Sequence, residues 1–309
     1  MPFCTLNNID INYEIKGEGK PIVMIHGFTP DSRLMQGCME PIFTEKSGYK
    51  RIYFDLPGMG KTKGGTNINT TDDMLNIVLK FIDTIIPGQS FLFAGESYGG
   101  YLARGIIANR PEKVKGAAFI CPMIIPQFEK RSLPSHTIIV EDNTFLNQLN
   151  ELEETDFRSN NVILDEKTWV RYKNEIVSGC SIADQEFLSK IRNNYGFSFE
   201  IDKIKFKEPS LFLLGLQDSV VGYKDAFTIL ENYPRASFAI LDKASHNLQI
   251  EQENLFNSLI NEWLDRVLLK ITKKSYFANS SLYFNLATIP NENTKYSLKK
   301  HFFKIMLMF

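Results

Sequence analysis

No apolar run in these 309 residues approaches the roughly 20 that a membrane-spanning helix needs, so no transmembrane segment is expected. Cysteine is scarce, and Cys4, Cys38, Cys121 and Cys180 stand far apart with no C-x-x-C spacing. That argues against a disulfide framework and a structural zinc site, and suits plain thiols in a reducing compartment. Neither sign of charge prevails: 35 Lys and Arg face 36 Asp and Glu, a net charge of -1. The electrostatic footprint that a nucleic-acid partner requires is therefore missing. The opening residues, Met1-Pro2-Phe3-Cys4-Thr5-Leu6-Asn7-Asn8, lack the basic and apolar regions of a secretory signal, and a cytoplasmic protein is expected. Internal repeats are absent too.

What remains is an ordinary globular composition, 43% hydrophobic and 23% charged, on a chain long enough for an ample core. The even balance conceals an asymmetry. Residues 270–309 hold seven lysines and one acid, Glu292, while 28 basic and 35 acidic residues fall in the first 269. The expected layout is an acidic body with a basic, aromatic C-terminal tail at 270–309. Ending in His301-Phe302-Phe303-Lys304-Ile305-Met306-Leu307-Met308-Phe309, that tail is expected to be a poorly ordered or locally docked extension. A partner or membrane-surface contact is its alternative role, because Lys with Phe and Leu can bind an interface.

Within the body, apolar runs at 22–25, 51–54, 91–94, 117–120, 211–214 and 237–240 alternate with helix-period stretches. Runs without polar alternation suit strands buried on both faces of a parallel sheet. Thr70-Thr71-Asp72-Asp73 resembles a capping box, after which Met74, Val78, Phe81 and Ile85 form one apolar face until Pro87-Gly88 stops the helix. Phe256, Ile260, Trp263 and Val267 repeat the spacing near the end of the body. Strand and helix alternating in this way predict a doubly wound α/β sheet. Between about 124 and 206 the alternation lapses into polar, helix-and-loop sequence, too long for a connection. The domains expected are thus a core from 1–123 and 207–269, a helical cap inserted at 124–206, and the tail.

The chemistry centres on Gly95-Glu96-Ser97-Tyr98-Gly99, directly after the run 91–94 and before a helix-like run through Tyr101, Leu102 and Ile106. G-x-S-x-G is common by chance, but a strand before it and a helix after it make a nucleophile elbow. The turn has no room for side chains at Gly95 and Gly99, and it lifts the Ser97 hydroxyl clear of the backbone at the sheet's carboxyl edge. A serine needs a general base, and there are four histidines to choose from. His136 falls in the expected cap and His301 in the tail. His26 ends the first parallel strand upstream of the elbow and is expected to hydrogen-bond nearby backbone. His246 follows the last core strand, in the chain order serine, acid, histidine, and is the candidate base. Asp218, 28 positions earlier, is the candidate acid that orients it; Asp55 and Asp242 also lie near the edge but belong to another loop and to the histidine's own turn. Ile25-His26-Gly27-Phe28 closes the first parallel strand, and Gly27 lets the chain turn there. The backbone N–H groups of Phe28 and Tyr98 are assigned to an oxyanion hole.

Gly58-Met59-Gly60-Lys61-Thr62 imitates the end of a phosphate-binding loop, but the glycine required five positions before Gly60 is Asp55, and the segment reads as a turn. Taken together, His26-Gly27-Phe28, Asp55-Leu56-Pro57-Gly58-Met59-Gly60, the elbow at Ser97, Asp218 and His246 resemble, in order and spacing, the α/β-hydrolase superfamily with a helical cap. The resemblance covers about residues 8–268 and implies an eight-stranded, mostly parallel sheet flanked by helices, with a triad of Ser97, His246 and Asp218. Serine at the nucleophile position argues against the branches that use aspartate there, the haloalkane dehalogenases and epoxide hydrolases.

The resulting expectation is a serine hydrolase cleaving a small carboxylic ester or thioester through an acyl-enzyme, with no cofactor and no metal. Met123, Ile124, Ile125, Phe128, Phe157 and Trp169 are candidates for an apolar acyl pocket. Two alternatives stand beside it. The acidic run Glu151-Leu152-Glu153-Glu154-Thr155-Asp156 invites an aminopeptidase reading, because related proline iminopeptidases bind the substrate amine with cap glutamates; their tryptophan-bearing elbow is absent here. A small-ligand receptor with slow or no turnover is the other.

Overall fold

The computed structural model describes residues 2–284, with side chains described as far as 269. In chain order the core begins with β1 (Phe3–Leu6), β2 (Ile9–Lys16) and β3 (Lys20–Ile25), followed by α1 (Ser32–Phe43), β4 (Tyr49–Phe54) and α2 (Thr71–Ile85). Next come β5 (Phe91–Glu96), α3 (Tyr98–Asn109) and β6 (Val114–Ile120). After an insertion the core resumes with β9 (Ser210–Gly215) and β10 (Ala236–Leu241), then α9 (Leu248–Glu251) and α10 (Glu253–Phe284). The first compact unit ends at Val267.

The strands form one eight-stranded sheet in the order β1-β2-β4-β3-β5-β6-β9-β10. The pairs β1/β2 and β2/β4 are antiparallel, and all the others are parallel. All six apolar runs expected as strands are there. β5 and β9 are buried along their whole length, as unalternated apolar runs in a two-sided parallel sheet must be. β10 is the exception: it is an edge strand, its residues are mostly half-buried, and Ile240 is exposed.

The helix signals act as expected. Thr70 accepts the Asp73 N–H while Asp73 accepts the Thr70 N–H, closing a capping box on α2. Met74, Val78 and Phe81 then reach the core. Phe256, Ile260, Trp263 and Val267 form the buried stripe of α10. That helix runs to Phe284, beyond the boundary expected at 270. No glycine or proline interrupts 253–284, so nothing local stops propagation. The contacts expected of the rest of the tail lie outside the described residues. Among the described residues, no helix is long and apolar enough to cross a membrane.

The insertion between β6 and β9 is helical only in part. It holds a 3₁₀ turn (Phe128–Lys130), β7 (Val140–Glu141), α4 (Asn143–Leu146), α5 (Glu151–Asn160), β8 (Ile163–Leu164) and α6 (Glu166–Tyr172). α6 continues through a π turn (Lys173–Val177) into α7 (Ser178–Cys180), and α8 (Gln185–Asn193) follows. β7 and β8 pair parallel in a sheet of their own. Phe145, Leu146, Phe157, Leu164, Trp169 and Tyr172 make a second, small core inside the insertion.

Candidate active site

The elbow is built as its sequence requires. Ser97 sits between β5 and α3 with φ 51° and ψ -115°, a conformation that L-residues avoid and that the surroundings must enforce. Its N–H donates to the Ile120 carbonyl at 2.9 Å, and its own carbonyl accepts from Met123 N at 3.0 Å. A Cβ on Gly95 would lie 2.7 Å from the Gly99 carbonyl oxygen, and one on Gly99 would overlap the Ile25 carbonyl of β3. Both clashes are with backbone, so glycine is obligatory at each.

Three loops at the carboxyl edge of the sheet bring Ser97, His246 and Asp218 together. Ser97 Oγ lies 2.9 Å from His246 Nε2, and His246 Nδ1 lies 2.9 Å from Asp218 Oδ2. The other oxygen of Asp218 accepts the N–H groups of Val220 (2.9 Å) and Val221 (3.0 Å), which fixes the carboxylate's orientation. Burial raises the Asp218 carboxyl, but the charge of His246 and these hydrogen bonds outweigh it and leave the group below its ordinary range. Burial lowers His246 in the same way, and Asp218 with Glu96 overrides it, raising the imidazole to about 9.

The rival residues are engaged elsewhere. Asp55 accepts from Asn12 Nδ2, Ser32 N and Lys61 N, holding the turn of residues 58–62. His26 is fully buried, with Nδ1 on the Gly27 carbonyl at 2.8 Å and Nε2 accepting the Leu56 N–H at 2.9 Å. The Leu56 donor places the proton on Nδ1.

Phe28, on the loop after β3, and Tyr98, first residue of α3, lie side by side with ring centroids 5.1 Å apart. Being at N1, the Tyr98 N–H has no intrahelical acceptor. The Tyr98 hydroxyl contacts Thr71 Oγ1 at 3.0 Å, and its ring stacks on Tyr195.

Ser97 and His246 open into a cavity of about 1070 Å³ between the sheet edge and the insertion. Met123 and Phe128 line it. Ile124, Ile125, Phe157 and Trp169, expected there, do not: Ile124 belongs to the main core, and Trp169 packs on Phe157 at 5.1 Å inside the insertion. A short insertion has little apolar material, and its largest rings hold it together. Of the acidic run, only Asp156 reaches the cavity, where it accepts the Tyr172 hydroxyl at 2.9 Å. Glu153 closes the capping box at the start of α5 and pairs with Lys173, and Glu154 pairs with Arg158.

The wall residue that sequence reasoning passed over is Glu96, quoted in the motif but given no part. Its carboxylate is buried beside the imidazole, Oε1 3.2 Å from His246 Nε2. Burial raises it to about 7, against the opposing pull of His246.

Cys121 Sγ lies with the donor atoms of Asp218 and His246 within 4.8 Å of one another, the spacing of a metal site. However, burial holds the thiol protonated, it donates to the Ser245 carbonyl, and the other two donors already bond to each other. The cluster is ill suited to an ion.

A family model described as the alpha/beta hydrolase fold matches residues 20–253. A crystal structure of an alpha/beta superfamily hydrolase from Oenococcus oeni PSU-1 superposes with a TM-score of 0.80 at 31% identity, covering 86% of this chain and 99% of that one. Pimeloyl-[acyl-carrier protein] methyl ester esterase of Legionella pneumophila is 22% identical over 83% of this chain and 100% of its own length. Monoacylglycerol lipase ABHD6 of Bos taurus is 22% identical over 81% of this chain and 77% of its own length.

Proposed function

Starting from a chain that belongs to the alpha/beta hydrolase family, we propose that it hydrolyses a small carboxylic ester or thioester through an acyl-enzyme formed on Ser97. The observation that carries this reading is the unbroken hydrogen-bond line from Ser97 Oγ through the His246 ring to Asp218. In the reactive tautomer the Nδ1–H donates to Asp218, so that the Nε2 lone pair faces the serine hydroxyl. Ser97 attacks the acyl carbonyl as His246 takes its proton. The imidazolium, stabilised by Asp218, then protonates the departing alcohol or thiol. Water, deprotonated by the same nitrogen, attacks the acyl-enzyme and releases the acid and Ser97. The N–H groups of Phe28 and Tyr98 receive the oxyanion, each contributing about 10²–10³ in rate.

The insertion acts as a cap, and Met123 and Phe128 supply apolar wall for the acyl group. The esterase names of the relatives support ester over amide, and the engagement of Glu153 and Glu154 within the insertion weakens the aminopeptidase reading.

The test is intact mass after a fluorophosphonate probe, with wild type beside Ser97→Ala. One adduct on the wild type alone is expected, together with loss of nearly all ester turnover in the variant. Near-wild-type turnover in a folded Ser97→Ala protein would sink the assignment.

A further inference from the structure

A triad needs one carboxylate, and this imidazole sits between two. Asp218 Oδ2 meets Nδ1 at 2.9 Å, and Glu96 Oε1 meets Nε2 at 3.2 Å, on the nitrogen that also faces Ser97 Oγ. Glu96 does not reach this place by chance of rotamer. It is the last residue of β5, its side chain is only 4% exposed, and the Gly27 backbone hydrogen-bonds its carboxylate. A Cβ on Gly27 would overlap Glu96 Oε2. The oxyanion loop therefore carries a glycine where the carboxylate needs room.

We propose that Glu96 is a positioning residue for His246: its carboxylate stands 3.2 Å from Nε2 as a charge contact, on the side of the ring opposite the Asp218 hydrogen bond to Nδ1, and it biases the ring toward the imidazolium and away from the free base that accepts the Ser97 proton. This rests on Ser97 being the nucleophile. The groups bearing on the imidazole from each packed element are few. Asp218 comes from the loop after β9, Glu96 from β5 and Cys121 from just beyond β6, while Arg131 from the insertion opposes the two carboxylates. Glu251, on the histidine's own side, is tied instead to Ser245 and Val162.

Two consequences oppose each other. Where Glu96 is ionised, its carboxylate beside Nε2 favours the charged ring, so fewer molecules carry the free base. The same carboxylate stabilises the imidazolium that forms in the transition state, so those with the free base react faster. Removing the charge should move the acid limb of the rate profile down and lower its plateau, and the two profiles should cross. A part that only holds shape would lower the rate at every pH and leave the midpoint unmoved.

The experiment is the rate of fluorophosphonate labelling and of kcat/KM for a neutral ester against pH, for wild type, Glu96→Gln and Glu96→Asp. Glu96→Gln keeps the shape and the Gly27 contact; Glu96→Asp keeps the charge at greater distance. The wild-type midpoint is expected on the alkaline side of the histidine's ordinary 6.5. It should fall by about one pH unit or more in Glu96→Gln, the scale for losing an opposite charge at this distance. Glu96→Asp should lie between, and the plateau should be severalfold lower in Glu96→Gln. An unmoved midpoint in both variants overturns the proposal while Ser97 labelling in the wild type leaves the hydrolase reading standing. A folded Glu96→Gln protein that labels at no pH also overturns it, because Glu96 would then be indispensable rather than tuning. Wild type that labels at no pH overturns the hydrolase reading itself.

Discussion

Arg104 offers the sharpest test of how the insertion is held over the sheet edge. It lies in α3 with only 3% of its side chain exposed. Its guanidinium donates to the carbonyls of Met123 (3.0 Å) and Ile124 (3.2 Å), where the chain leaves the core. It also forks onto both oxygens of Asp202, where the chain returns. One side chain thus clasps both ends of the insertion. Arg104→Met keeps most of the stem's volume and removes every donor. Two carbonyls then lose their partner at about 1–3 kcal/mol each if water cannot replace it. Asp202, 22% exposed, recovers part of its solvation and adds less than a fully buried carboxylate would. Loss of one partner of a buried pair generally costs about 3–5 kcal/mol, and the lower half of that range applies here. At roughly 2–4 °C per kcal/mol, the melting temperature should fall by about 6–16 °C. Urea unfolding at neutral pH measures it directly, and adding Asp202→Asn should restore part of the loss. Met123 N also bonds to the Ser97 carbonyl, so ester turnover should weaken with it. A loss below about 1 kcal/mol, or no recovery in the double variant, would refute the clasp.

Gly99→Ala would push a methyl into the Ile25 carbonyl of β3, and neither backbone can yield; the expected result is mostly insoluble protein, scored by soluble fraction. Trp169→Ala should cost about 3–5 kcal/mol by emptying the small core of the insertion. Since Trp169 is not on the cavity wall, KM for a short-chain ester should hardly change, and a large rise in KM would place the ring back in the pocket. The pH dependence of stability follows from His246. Its folded value is raised from 6.5 to about 9, so its contribution is complete below 6.5 and is lost as pH rises through 9. Wild type should therefore lose about 1–3 kcal/mol over that window and His246→Gln distinctly less, the remainder coming from Glu96, Glu251 and the buried thiols; equal slopes would refute the assignment.

Much of the architecture was legible because it depends on local rules. Buried parallel strands must be apolar throughout, so the six runs stood out. Thr70 and Asp73 closed the capping box that their spacing announced. The elbow could be read because only glycine avoids the backbone at 95 and 99, and strand and helix flank the serine directly. β1 and β2 were not picked out. β1 is short and β2 is interrupted by polar residues, so neither antiparallel strand carries a comparable run.

Within the site, chain order and position were enough to nominate Ser97, Asp218 and His246, because each falls directly after a strand at the carboxyl edge. Distances were beyond reach of the sequence. It set Asp55 and Asp242 aside by their place in the chain alone, and only the folded chain shows Asp55 committed to Asn12, Ser32 and Lys61. It read Trp169 as pocket wall, since an aromatic's period says that it is buried but not against what. It passed over Glu96, whose neighbour in sequence announced itself while its neighbour in space, 150 positions later, did not. Periodicity, caps and obligatory glycines express forces acting within a few residues, and those the sequence alone determines. Which carboxylate faces which nitrogen depends on loops from β3, β5, β9 and β10 meeting at one edge, and only the tertiary structure decides it.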